Sequence, residues 1–476
     1  MASRDFVGPS VVVLVADGAR YDVLESAIRA GELPALARLR TEGGMHEVTS
    51  VFPSVTGPAY APFIMGRFPG HVGLPGIRWY DRDRTRARWP AYSRSYVGYD
   101  IASTDGDIPA GSPTIFELVP RHLAALSVIE RGLQRRDKIV RGPWFVWRAA
   151  VTHFRGDVTG WLDMDRGRGM EFAARIRRDR PDFAFCAMTG PDKTSHANGH
   201  AAATVRQSLK SVDDTVARIR TDAEADGRWD AMHLWVVSDH GHSPVHTHED
   251  LAGLLRQHGV RTRAHPFTIG FGHRAAVMVS GNAMAHVHVG IESKVRPWWP
   301  AARAEWGWLA DLLLYRPATD LMVLPASPTS CEVHARARGH AVLSWHDGAY
   351  SYECRSGDPL AIGTRRGLDA EASYDLMRDS DYPDGLVQLA SLVGCSRSGD
   401  IILSAARGYD FRAKYEPIPH VSAHGALHRE HMMAPLIVNK PVARPPRRTA
   451  DVFATACEVL GVRVGGPQDG TSWLAT

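Results

Sequence analysis

No apolar stretch in this 476-residue chain reaches the ~18 positions that a helix needs to cross a membrane. The early run over 11–16 has the length of a strand, not of a signal-sequence core. No membrane span is expected, and a reducing cytoplasmic setting is. Cysteine is scarce as well. Five residues stand at 186, 331, 354, 395 and 457, none in a CxxC pair. That spacing offers neither a disulfide framework nor a thiolate metal cluster. Cys186 and Cys457 lie in apolar surroundings and read as buried thiols. Charge of one sign is also lacking. A net charge of +4 and a pI near 8.8 permit an anionic substrate but give no argument for a nucleic acid duplex. The basic clusters Arg135-Arg136 and Arg444-Pro445-Pro446-Arg447-Arg448 read as solvated surface. Internal repeats and low-complexity tracts are absent.

What is present is the composition of a globular protein: 44% hydrophobic, 23% charged, mean hydropathy −0.22. The length exceeds one ordinary core, so one large α/β domain with a substantial insertion, or two domains, is expected. An apolar strand over 10–16 precedes helical spacings over 21–29 and 34–41. The segment 46–52 is β-like, and Pro58 opens a helical stretch over 58–66 from its preferred first position. The region 79–166, rich in Trp, Arg and Gly, gives no clear pattern. Helix at 168–180, strand at 183–188, helix at 201–222 and strand at 233–238 follow. Such alternation predicts a mostly parallel sheet covered on both faces.

Between 262 and 399 the texture changes. Short antiparallel strands are expected over 331–337, 340–345 and 349–354, the last two joined by the turn pair Asp347-Gly348. With Trp298, Trp299, Trp306 and Trp308 ahead of them, they read as an inserted cap. The core is expected to resume with strands at 400–405 and 434–438 and a helix over 450–460.

The apolar strands end in residues that bind metals. Asp17 closes the first, Asp239-His240-Gly241 closes the strand at 233–238, and Asp192 and His196 follow the strand at 183–188. Carboxylates and imidazoles at the carboxyl ends of buried strands are how an open α/β sheet assembles a metal site. Asp192 and His196, four residues apart, could grip one ion from a single turn. Among 23 histidines, His424-Gly425 carries no signal alone, and His242, His246 and His248 read as neighbours outside the ligand set. The turn at 52–58 offers the hydroxyl of Thr56 ahead of a helix, where free N–H groups stabilise an anion. A threonine hydroxyl needs a base or a metal to become an alkoxide. No Ser-His-Asp layout surrounds it, whereas metal ligands do. An oxygen and imidazole donor set suits zinc, with manganese as the alternative.

Six stretches taken together resemble the alkaline phosphatase superfamily, and within it the type I phosphodiesterase/nucleotide pyrophosphatase family. They are VVVLVADGAR at 11–20, FPSVTGPAYAPFIMGRFPGHVGLPG at 52–76, PDKTSHANGH at 191–200, WVVSDHGH at 235–242, AHGALHREHMMAPLIV at 423–438 and TADVFATACEVLG at 449–461. The resemblance implies an alkaline-phosphatase-like three-layer α/β sandwich, with a mostly parallel central sheet and an inserted α+β cap. Residues 1–261 and 400–476 would form the catalytic core and 262–399 the cap that selects substrate. It implies two zinc ions and Thr56 as the nucleophile. Asp17, Thr56, Asp239 and His240 match the ligands of the activating ion; Asp192, His196 and His424 match those of the second, which serves hydrolysis of a phosphothreonyl intermediate.

One position departs from the family pattern. The nucleophile turn usually continues T-F-P-N-H-Y, and here Ala59 stands where that asparagine would donate to a phosphoryl oxygen. A missing donor of that kind is worth ~3 kcal/mol of transition-state stabilisation. Lys193 and Tyr60 are the candidate replacements. The function expected is hydrolysis of a small-molecule phosphodiester or pyrophosphate. A phosphomonoesterase or phosphonate hydrolase on the same core is the alternative, and a catalytically inactive binding protein stands behind both. A sulfatase would need a modifiable Cys or Ser where Thr56 stands, and a cofactor-independent phosphoglycerate mutase would need Ser.

Overall fold

A computed structural model describes residues 8–82, 93–96, 99–139, 143–265, 272–412 and 420–474. Within them the strand Ser10–Ala16 is the centre of a seven-stranded sheet. It runs parallel to Phe183–Met188 on one side and to Met232–Val237 on the other. The strands His122–Ala125 and Lys138–Ile139 extend one edge in parallel. Met433–Val438 and Met45–Thr49 extend the other edge antiparallel. The strands at 122–125 and 138–139 fall in the stretch 79–166, where no pattern is legible; four and two residues long, they are too short to show a period.

Alternation along the central strand explains the layers. Val11, Val13 and Val15 face a cluster with Tyr60, Phe63 and Phe453, while Val12, Leu14 and Ala16 face Leu24, Phe172 and Val212 on the opposite side. The helices Tyr21–Arg29, Val158–Asp179 and Ala203–Ala225 cover that second face. All six strand residues are at most 1% exposed, and each buried Val or Leu contributes roughly 1.5–3 kcal/mol. A polar residue anywhere in 11–16 would break one layer or the other. Register then places the site. Ala16 lies opposite Met188 and Val15 opposite Val237, so Asp17, the 189–192 turn and Ser238-Asp239 leave the sheet side by side at its carboxyl edge.

A second, nine-stranded sheet comprises eight strands between 262 and 368 together with Ile401–Ala405. It is antiparallel except for its first pair. The strand expected to resume the core at 400–405 therefore belongs elsewhere: it pairs with Met284–Val289 and Thr319–Ser327 in this sheet. Its apolar run identifies a strand, but only distant partners decide which sheet it joins. Asp347 and Gly348 form the expected hairpin turn, with φ of +47° and +78°. Trp299 and Trp306 lie in the core of this unit; Trp308 is exposed. All five cysteines are free thiols. No helix of the described residues is long and apolar enough to cross a membrane.

The two sheets meet at the site through one turn. At the tip of the hairpin Ala275–Ser280/Met284–Val289, Gly281 and Asn282 have φ of +60° and +65°. Gly281 O accepts from the His424 amide at 3.2 Å, and Ala283 N donates to His424 O at 3.0 Å. A Cβ at position 281 would lie 2.4 Å from Val55 and 2.9 Å from His424 Nδ1, so the close approach requires glycine.

Candidate metal centre

Asp17, Thr56, Asp239 and His240 come together as the sequence suggested. Thr56 Oγ1 lies 3.1 Å from Asp17 Oδ1 and 3.2 Å from His240 Nε2. That same Nε2 is 3.4 Å from Asp17 Oδ1 and 3.5 Å from Asp239 Oδ2. The Gly18 amide donates to Asp239 Oδ1 at 3.2 Å. Among the described residues Asp239 Oδ2 is buried with no hydrogen-bond partner. A desolvated carboxylate oxygen without a donor is costly, and it faces a ring of other ligand-type atoms. A cation there would satisfy it.

Asp192 and His196 stand four residues apart on the helix Gly190–Asn198, both buried. Asp192 Oδ1 lies 3.2 Å from His196 Nε2, 3.5 Å from His424 Nε2 and 3.0 Å from His242 Nε2. Asp192, His196, His242 and His424 thus form one group of potential ligands, and Asp17, Asp192 and His240 another that shares Asp192. His240 and His424 stack at 3.7 Å between centroids, joining the groups. The helix is anchored beneath the site: Asp165, buried against Arg168, accepts from the Gly190 amide at the helix start.

His242 is the residue that sequence reasoning set aside. It is fully buried; residues 240 and 242 both enter the site, flanking Gly241, where a Cβ would lie 2.1 Å from the Glu430 carbonyl oxygen. His246 and His248, set aside with it, are exposed on the following strand. Alternate positions sharing one side of an extended segment are the only signal that marked it.

The two candidates offered as phosphoryl donors are engaged with the carboxylates of Asp17 and Asp192. Tyr60, 1% exposed, donates its hydroxyl to Asp17 Oδ2 at 3.2 Å, which fixes the carboxylate instead of reaching outward. Lys193 Nζ lies 2.8 Å from Asp192 Oδ2. Ala59 packs with Val51, Phe68, Val387 and Ala450, so its side chain is directed into the core. The helical stretch behind Thr56 is a three-residue 3-10 turn followed by the short helix Ala61–Met65, which limits any dipole effect.

Electrostatics separate the groups. Burial, then the charge of Asp17, holds the Asp239 carboxyl well above the usual carboxylate range. Burial also pushes Asp192 up, but the opposing charges around it, that of Lys193 first, prevail and set it well below that range. His240 is depressed by burial yet raised overall to about 9 by Asp239 and Asp17. Burial drives His242 down to about 3 and His424 well below its ordinary value. Crowded carboxylates face His242 and His424, both kept neutral by burial, an arrangement that divalent cations would balance. Oxygen and imidazole donors without thiolates fit zinc or manganese.

The profile of the type I phosphodiesterase/nucleotide pyrophosphatase family matches residues 11–427. The chain belongs to that family. Membership makes it an enzyme of phosphoester hydrolysis, and the fold of this family member recurs in solved structures. Phosphonoacetate hydrolase from Sinorhizobium meliloti 1021, in complex with phosphonoformate, shares 15% identity over 95% of this chain and 96% of that one, with a TM-score of 0.55. An inactive murine ectonucleotide pyrophosphatase/phosphodiesterase 5 in complex with AMP shares 14% identity over 98% of this chain and 97% of that one, with a TM-score of 0.56. The human form of the latter shares 13% over 97% of each, at 0.56. At these identities the likeness is one of fold. No curated protein matches the sequence.

Proposed function

We propose that this protein hydrolyses phosphodiester or pyrophosphate bonds of a small-molecule phosphate ester through a phosphothreonine at Thr56, with two divalent metal ions. Zinc is the preferred ion and manganese the alternative. The observation that supports this is the position of Thr56 Oγ1, within 3.2 Å of both Asp17 and His240. Asp17, Thr56, Asp239 and His240 would hold one ion; Asp192, His196 and His424 would hold the other. Bound there, the ions would supply the positive charge that favours a threonine alkoxide and balances charge developing on the phosphoryl oxygens.

The rest is the chain's own work. Asp17 Oδ1 accepts the Thr56 hydroxyl hydrogen, which turns the oxygen lone pairs toward an incoming phosphoryl group. The Oγ1–P bond forms as the bond to the leaving oxygen breaks in line with it, and the hydroxyl proton departs on the Asp17 side. A water on the vacated side, next to the Asp192 group, then attacks phosphorus and Thr56 leaves with a proton. Tyr60 keeps Asp17 oriented throughout. The second sheet, whose turn at 280–283 rests on His424 and Val55, acts as the cap that selects the organic group.

Metal analysis paired with turnover of bis-p-nitrophenyl phosphate, p-nitrophenyl phosphate and a phosphonate tests the reading, on wild type and Thr56→Ala. Two ions per chain, diester preference and loss of turnover in the variant are expected. Preference for the monoester or the phosphonate would move the assignment to the alternative, and bound metal without turnover of any probe would leave a binding role.

A further inference from the structure

His242 lies at the Asp192 group but outside the ligands that the family resemblance assigns. Hydrogen bonds settle which nitrogen of each imidazole carries its proton. His196 Nδ1 lies 2.8 Å from the Ser422 carbonyl, and His424 Nδ1 lies 2.8 Å from the Ser54 carbonyl. A carbonyl only accepts, so both Nδ1 atoms donate, and in the neutral imidazole that a metal requires both Nε2 atoms then present lone pairs. His242 obeys the same accounting through one more step. The Ser422 hydroxyl lies 2.9 Å from the Ser243 carbonyl, which obliges it to donate there. Its oxygen is then the acceptor for His242 Nδ1 at 3.3 Å.

His242 Nε2 therefore carries a lone pair too, and it faces Asp192 Oδ1 at 3.0 Å. Three imidazole lone pairs converge on one carboxylate oxygen, an arrangement that repels unless a cation lies among them. The imidazole has little freedom to turn away. Gly18, with φ of +70°, leaves room for it, since a Cβ there would lie 2.9 Å from His242 Nε2. Arg20 donates to the His242 carbonyl at 2.7 Å and pins the backbone.

We infer that His242 is a fourth protein ligand of the second ion, completing a set of three imidazoles and one carboxylate with Asp192, His196 and His424. The inference rests on the two-ion reading and adds to it. Four protein donors would hold a zinc ion tightly, and the capacity of zinc for a fifth donor would leave room for a water beside it. The nitrogen-rich set also favours zinc over manganese at this position. The Thr56 group, with one imidazole, would then lose its ion first under chelation.

Zinc K-edge X-ray absorption on metal-free protein reloaded with one equivalent of zinc counts the imidazoles directly. Three per ion are expected in wild type and two in His242→Ala. A competing chelator titration should show tightest-site affinity falling at least ~10-fold in His242→Ala. His246→Ala, an exposed histidine on the adjoining strand, should match wild type in both measurements. Circular dichroism and Tm of the metal-free variants verify that the fold is kept. Two or fewer imidazoles in wild type would overturn the inference, as would a wild type that binds no zinc. Three imidazoles in a protein that turns over no ester would keep the inference and remove the functional reading. Two imidazoles with full diester turnover would do the reverse.

Discussion

The two donor groups share Asp192 but are built from opposite chemistry. Around Thr56 stand carboxylate and hydroxyl oxygens with His240; around Asp192 Oδ1 stand three imidazoles. The first group is positioned by strand register, since Asp17 and Asp239 leave neighbouring parallel strands at the same level. The second is gathered from a helix, a turn and the 422–424 segment, which the hairpin tip of the second sheet supports. On the function proposed, the oxygen-rich group would keep charge available beside Thr56, while the nitrogen-rich group would hold its ion firmly. Reaction and retention would then fall to different ends of one site.

The largest expected effect tests the reacting end. Thr56→Ala should lower diester kcat by on the order of 10^5-fold or more while zinc content of the imidazole-rich group stays near wild type. Asp192→Asn removes the carboxylate around which the imidazole-rich group gathers and which lies beside Asp17 and His240. Equilibrium dialysis is expected to show the ion of the imidazole-rich group weakened ~100-fold or more, with the Thr56-side ion, held by other residues, affected less. Tyr60→Phe should sharpen the comparison: the hydrogen bond to Asp17 goes, so chelator titration should find only the Thr56-side ion weakened, by ~10-fold.

In the metal-free protein the groups should respond to pH in opposite senses. His240, raised to about 9 by the Asp239 and Asp17 carboxylates against burial, contributes stability that is full below ~6.5, its unfolded value, and lost as pH rises through about 9. His242, held by burial near 3, contributes stability present above ~6.5 and lost as pH falls through about 3. Melting scans of His240→Asn and His242→Asn, each against metal-free wild type, should flatten the alkaline and acid sides respectively. The smallest effect falls outside the site. Ala59→Asn should leave kcat unchanged and cost ~1–3 kcal/mol in urea unfolding, because its side chain enters a packed apolar cluster.

Much of both groups could be read from sequence because the signals are local. An apolar strand that ends in Asp17, another that ends in Asp239-His240, and the i, i+4 pair Asp192/His196 each carry their chemistry within a few residues. His242 could not be read that way. Its tautomer depends on Ser422, 180 residues away. Tyr60 reads as a possible outward donor until the packing of its helix turns the hydroxyl onto Asp17. The strands His122–Ala125 and Lys138–Ile139 are too short to announce themselves, and Ile401–Ala405 announces a strand without naming its sheet. In each case the deciding contact is distant in the chain.

During turnover Thr56 is expected to carry the phosphoryl group, still esterified to the retained organic group when the substrate is a diester. Rapid acid quench of metal-loaded wild type with a diester substrate, followed by peptide mass spectrometry, tests it most directly. The account predicts a phosphoryl-ester adduct on the peptide that carries Thr56, present at steady state and absent from Thr56→Ala. Steady diester turnover with no adduct on that peptide, or undiminished turnover by Thr56→Ala, would contradict it.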